Sequence, residues 1–172
     1  MRNTSSIQIN YDIKSEKDLE ETTYILDCLH PILSYLFCYS PFRKREIIHD
    51  LNFRNHIWEN TDNDRCRSLI NHGIWEQEGL LDLYCDFVCG VPGIFKIDNK
   101  NNIQGTNISI GEELNNKYLK GELSNQDIKI SLHQIFTNVR LKTLIELRDI
   151  DCLPAEYIMA PVAFTSGLIS SP

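Results

Sequence analysis

Two stretches of strict alternation, one near each end of the chain, constrain the fold most. Ser6 to Ile13 sets Ile7, Ile9, Tyr11 and Ile13 on one side and Gln8, Asn10 and Asp12 on the other. Val139 to Arg148 sets Val139, Leu141, Thr143, Ile145 and Leu147 against Arg140, Lys142, Leu144, Glu146 and Arg148. Side chains alternate across a strand, so each stretch predicts a strand with one apolar and one polar face. The apolar faces need cover, and the sequence between them is rich in helical signals. The expectation is an α+β fold: an antiparallel sheet backed by helices, its open face lined by functional groups. A length of 172 residues suits one domain spanning 1–172.

Ser15 begins a helix, with Asp18 as a capping-box partner. Leu19, Ile25, Leu26, Leu29, Leu33, Leu36 and Phe37 form its buried stripe, and Pro31 predicts a kink or break. Ser40 and Pro41 start a polar stretch reaching to about Asn71. It is long for a structureless loop, and Phe53 and Trp58 argue that it is ordered. A helix is expected from about Glu78 to Cys89, stopped by Gly90 and Pro92. A hairpin follows from Ile94 to Ile103, turning at Asp98 to Asn102. Further helices are expected from Ser109 to Gly121, from about Asn125 to Phe136, and from Pro154 to about Leu168.

The net charge of −7 argues against nucleic-acid binding, which needs clustered cations. No apolar run approaches the roughly 20 residues of a membrane span, and the first ten residues do not read as a signal peptide. The six cysteines lack metal or redox spacing. Cys85 and Cys89, one helical turn apart, read as core thiols, and the set points to a reducing compartment such as the cytoplasm. His30, His49, His72 and His133 have no metal spacing, and His56 and Trp75 read as structural.

On its own, the polar face of the second strand is compatible with an ordinary solvated sheet. Its chemical reading is that Arg140, Lys142 and Arg148 neutralise a transferred phosphoryl group while Glu146 holds magnesium. Gln8 and Asn10 add amide oxygens if the two strands share a sheet. Arg43-Lys44-Arg45 reads as a solvated loop, or alternatively as a lid over phosphates.

Four segments, in order, resemble glutamate–cysteine ligases of the plant and proteobacterial branch. Ser6 to Phe42 resembles that branch's strand, helix and Asn-Ser-Pro loop. Arg54 to Arg65 (RNHIWENTDNDR) is similar to its Arg-Ser-His-Ile-Trp segment followed by Asp-x-Asp-Arg. Leu83 to Pro92 resembles its Tyr-Val-Asp-Tyr-Ala-Leu-Asp-Val-Pro. Val139 to Leu168 resembles its Val-Arg-Leu-Lys strand, Glu-Met-Arg motif and closing helix.

The resemblance implies a glutamine-synthetase-like funnel of curved antiparallel sheet. It also implies joining of the glutamate γ-carboxylate to the cysteine amine, with ATP and Mg2+, through a γ-glutamyl phosphate. By position, Glu146 would bind magnesium with Gln8, Arg148 would contact ATP phosphate, and Lys142 would stand beside them. Arg54, Trp58, Arg65 and Asn10 would line the substrate region, with Arg54 or Arg65 as the carboxylate clamp. Departures occur at Tyr39 in the Ser-Pro loop, at Gly90 where relatives carry an acid, and at Thr165 where they carry an aromatic. Met1 falls at an internal position of the family, before which further metal-binding carboxylates lie. The chain is therefore expected to be truncated, with an unpaired sheet edge, an uncovered apolar face, and self-association or a complementary chain. A non-catalytic binding module and a ligase with another amine are the alternatives.

Overall fold

The structure, a computed structural model, describes residues 4–48, 52–97 and 102–170. In chain order the strands and helices are β1 (Ser6–Tyr11), α1 (Glu16–Leu36), β2 (Phe42–Arg43), β3 (Glu46–Ile47), α2 (Phe53–Glu59), β4 (Cys66–Arg67) and α3 (Leu80–Gly90). They continue as β5 (Phe95–Ile97), β6 (Ile103–Gly105), α4 (Ile110–Leu119), α5 (Asn125–Leu132), β7 (Phe136–Thr137), β8 (Val139–Leu141), β9 (Ile145–Asp151) and α6 (Ala160–Ile169). The fold is mixed α and β. A three-stranded antiparallel sheet, ordered β1-β9-β8, is accompanied by two small antiparallel hairpins and the parallel pair β4–β7.

The stretch expected as one strand from Val139 to Arg148 is a hairpin, turning at Lys142, whose N–H donates to Leu144 O at 2.9 Å. The expected faces survive the turn because Arg140 pairs with Glu146, and Val139 with Leu147. Opposite residues of an antiparallel pair share a face, so this register keeps the same residues inward. β9 then runs beyond Arg148. Between Ile7↔Ile150 and Ile9↔Leu147, the pair Arg148 and Asp149 opposes Gln8 alone, which is a β-bulge. The extra residue shifts the alternation, so Ile150 joins Leu147 and Ile145 in the core, each fully buried.

The apolar face is covered within the chain, contrary to expectation. Leu19, Leu26 and Leu33 of α1, with Leu80, Tyr84 and Val88 of α3, pack into one core with Ile9, Val139, Leu141, Ile145 and Leu147. Edges are managed unequally. Tyr84 Oη accepts the Leu141 N–H at 3.2 Å, and its burial pushes the phenol pKa up to about 12. Among the described residues β1 is paired only with β9.

Ser15 caps α1, accepting from Asp18 N at 3.1 Å, while the Asp18 carboxylate takes Lys14 N at 3.0 Å, one residue before the cap. α1 passes through Pro31 without ending, because its buried stripe holds it on both sides of the missing N–H. The polar stretch from Ser40 is ordered where described, as β2–β3, α2 and β4; His49 lies outside the described residues. The β5–β6 hairpin is present, though 98–101 of its turn fall outside them. α5 stops at Leu132, where β7 takes over, and Pro154 leads only a 3-10 turn, with α6 starting at Ala160. Cys85 and Cys89 are exposed rather than core thiols, because α3 buries Leu80, Tyr84 and Val88 instead; Trp75 is 64% exposed.

Candidate active site

Glu146 lies mid-sheet between its Cα partners Asn10 on β1 and Arg140 on β8. Its carboxylate is enclosed by cations. Arg140 reaches Oε2 through Nε at 2.6 Å and NH2 at 2.5 Å, and Arg148 NH1 reaches Oε2 at 3.2 Å. Lys142 Nζ stands 3.3 Å from Oε1. Burial opposes the Glu146 charge, yet Arg140, Arg148 and Lys142 hold its carboxyl below the usual range. Three cations and one carboxylate leave two positive charges in excess, inside a chain whose net charge is −7. Gln8 and Asn10 are exposed beside this group. The arrangement suits an anion with several oxygens better than a cation.

α2 supplies the neighbouring wall. Asn52 caps it, accepting from Asn55 N at 3.1 Å, and Arg54 N donates to Ser40 Oγ at 3.2 Å. The Trp58 ring centroid is 6.0 Å from the Arg54 guanidinium and 5.9 Å from that of Arg148, which also stands 5.9 Å from Phe136. Arg54 is only 6% exposed, and its guanidinium makes no hydrogen bond or ion pair among the described residues. Its Nε and the Trp58 indole N–H are buried without partners, and burial lowers the Arg54 pKa. Arg54 lines an open cavity of about 820 Å³ with Arg43, Lys44, Tyr39, Phe42 and Phe53. A buried guanidinium with no ion pair, at a cavity wall, is free to take an anion from outside.

Arg65 is not available for that role. Its Nε donates to Asp62 Oδ2 at 2.6 Å, NH1 to Gln134 O at 3.2 Å and NH2 to Pro92 O at 2.7 Å. It ties the α2–β4 loop to the segments before β5 and β7, so its guanidinium, unlike that of Arg54, is already engaged within the chain. The Arg43-Lys44-Arg45 run forms the tip of β2–β3, with Lys44 at φ 51° and Arg45 at φ 72°. Thr165 is fully buried; its hydroxyl bonds Tyr11 and donates to Pro161 O at 2.7 Å, joining β1 to α6.

The magnesium expectation does not fit these residues alone. Among the described residues no group of three His, Cys, Asp or Glu could hold a metal ion. Glu146 already has both oxygens in ion pairs, and the surplus positive charge repels a dication.

Sequence reasoning passed over a buried polar group beneath the sheet. His30 Nδ1 of α1 lies 2.9 Å from Asp149 Oδ2, and Asn138 Nδ2 is 2.9 Å from the same ring nitrogen. Asp27, one turn earlier, accepts from Leu69 N at 3.0 Å and Ile70 N at 3.3 Å. A signal was present: Asp27 and His30 are polar at i and i+3 within the Leu26–Leu33 stripe.

The family model described as glutamate-cysteine ligase family 2 (GCS2) matches residues 1–171. The chain belongs to the glutamate–cysteine ligase family. It is 33% identical over 172 residues to glutamate–cysteine ligase A, chloroplastic, of Oryza sativa subsp. indica, covering 98% of this chain and 35% of that protein. It is also 33% identical to glutamate–cysteine ligase, chloroplastic, of Arabidopsis thaliana, covering 98% and 33%. The corresponding figures for ligase B, chloroplastic, of Oryza sativa subsp. japonica are 33%, 98% and 34%. The chain thus spans about a third of the length of these relatives. No described helix is long and apolar enough to cross a membrane.

Proposed function

We propose that these 172 residues form one domain carrying a wall of an ATP-dependent ligase site, of the kind that joins a glutamate carboxylate to an amino-acid amine, cysteine foremost, in glutathione biosynthesis. The observation that carries this is a cation cluster beside a partnerless buried arginine. Arg140, Lys142 and Arg148 would hold the nucleotide's phosphoryl oxygens, with Asn10 and Gln8 bordering them. Arg54, stiffened by Trp58, would take the glutamate α-carboxylate bidentately and direct the other carboxylate toward Arg148. Bound ATP supplies the phosphoryl group that makes a carboxylate electrophilic. The chain's own cations neutralise the charge that develops on the phosphoryl oxygens. Glu146 in this reading keeps three mutually repelling cations converged while no ligand is bound.

Such chemistry needs more carboxylates than these residues provide. The further magnesium ligands, and closure of the sheet into a funnel, are assigned to residues outside this set, on the same protein or on a complementary chain. The absence of a metal-holding group among the described residues also favours a second reading, a module that binds nucleotide and acidic amino acid without transferring phosphate by itself. Six unpaired cysteines suit a reducing compartment; cytoplasm is the reading for this chain, whereas the relatives' names say chloroplastic.

The test is isothermal titration with ATP, ADP and adenosine, with and without L-glutamate. Affinity should rise with phosphate number, fall with salt, and drop in Arg148→Ala. Adenosine binding as tightly as ATP would overturn the phosphate assignment. Equal glutamate affinity in Arg54→Met and wild type would overturn the clamp.

A further inference from the structure

Arg54 is buried beside an acid it does not pair with. Asp149 is 2% exposed and sits in the bulge next to Arg148, close enough for its charge to act on Arg54. Neither Asp149 oxygen makes an aligned hydrogen bond, but His30 Nδ1 stands at ion-pair distance, 2.9 Å. Asn138 flanks the same ring nitrogen at 2.9 Å, an amide contact that a charged His30 makes through the amide oxygen, and its backbone carbonyl accepts the Arg148 N–H at 2.9 Å. The histidine therefore touches both neighbours of the Arg148 backbone.

We propose that His30 is a positioning residue for the carboxylate clamp: by engaging Asp149 it keeps that acid from capturing Arg54, leaving the guanidinium for an incoming carboxylate. This rests on the clamp reading of Arg54. Two cations compete for one buried carboxylate. While His30 is protonated, Asp149 is satisfied and Arg54 remains open to the cavity. Once His30 is neutral, the Asp149 charge is uncompensated, and Arg54 turns to it.

The groups around His30 favour its charged form. Burial disfavours the charge, but Asp149 on β9, Asp27 on α1 and Glu59 on α2 outweigh it and raise its pKa. His30 and His56 line a second open pocket, distinct from the cavity at Arg54, which gives His30 a path for proton exchange with solvent. The charges of Asp149, Arg148 and Asp151 all act on Arg54, so its preference turns on how much of the Asp149 charge is already taken.

The experiment is titration of the 172-residue chain with L-glutamate across pH 6 to 9, for wild type, His30→Gln and Asp149→Asn. Wild-type affinity should fall about tenfold as His30 deprotonates, the worth of one charge-assisted contact. His30→Gln should bind about tenfold more weakly at all pH values, with no slope. Asp149→Asn should bind as tightly as protonated wild type, again with no slope, and the double variant should regain what His30→Gln lost. A purely structural role would make both single variants bind worse. That outcome, or an unchanged slope in His30→Gln, overturns the proposal.

If wild type binds no glutamate at any pH, the clamp reading fails, and the positioning step is read on the protein itself. The Arg54 Nε–H resonance should shift as the His30 ring titrates in wild type and stay fixed in Asp149→Asn. An Arg54 signal indifferent to His30 overturns the inference independently of any ligand.

Discussion

Arg54 and Arg65 separate cleanly by substitution, because one has internal partners and the other has none. Both are buried, at 6% and 5% exposure. Arg65→Ala strands two backbone carbonyls, those of Gln134 and Pro92, which its NH1 and NH2 now satisfy. Each buried acceptor left unmet costs about 1–3 kcal/mol, so a loss of about 3–5 kcal/mol is expected, packing included. That is a large share of the roughly 5–15 kcal/mol by which a domain is stable. Arg54→Met strands nothing and removes a desolvated charge, so stability should hold or rise by about 1 kcal/mol.

Ligand affinity should follow the reverse order. Loss of a charge-assisted pair is worth about 1.5–3 kcal/mol, or roughly 10–100-fold in glutamate affinity for Arg54→Met. Urea unfolding followed by tryptophan fluorescence, paired with glutamate calorimetry on the same samples, reads both quantities. The reasoning fails if Arg54→Met unfolds as readily as Arg65→Ala. It fails equally if Arg65→Ala keeps its unfolding midpoint while losing glutamate.

Three further expectations follow from individual contacts. Glu146→Gln leaves Arg140, Lys142 and Arg148 without their shared counter-charge and should cost about 3–5 kcal/mol in urea unfolding; the same stabilisation, complete above the unfolded value of 4.5, should fade in wild type as pH falls through the lower folded value. The raised His30 pKa works in the opposite sense: its contribution is complete below 6.5 and is lost as pH rises through the folded value, so the urea midpoint should decline there in wild type and not in His30→Gln. A Cβ on Gly111 would stand 2.8 Å from Cys89 Cβ and 2.9 Å from Cys89 O, so Gly111→Ala should push α4 off α3 and lower stability by about 1–3 kcal/mol in thermal unfolding.

The parts of the fold legible in the sequence are those governed by local periodicity. Alternation gave the faces of β1, β8 and β9, and Ser15 and Ser109 marked helix starts because each caps through its own hydroxyl. What was illegible depended on register or on distant partners. Nothing local distinguishes one ten-residue strand from a hairpin whose register preserves parity, and the bulge at Arg148 and Asp149 exists only relative to Gln8. The cation cluster was readable as a polar face; the division of labour between Arg54 and Arg65 was not. Arg65 is spent on carbonyls 27 and 69 residues away, and no spacing rule reaches that far.

The charge arrangement also bears on how the site is built. A face with two surplus positive charges, set against an overall charge of −7, repels the dication its family relationship implies while attracting the polyphosphate that would accompany it. Arg140, Lys142 and Arg148 would take the anion directly. Glu146 is then a counter-charge whose ion pairs loosen as phosphate replaces it. On this view, an order of binding in which nucleotide affinity for the 172-residue chain is nearly independent of magnesium is the natural outcome. Strict magnesium dependence in the same titration would return Glu146 to the role of a metal ligand.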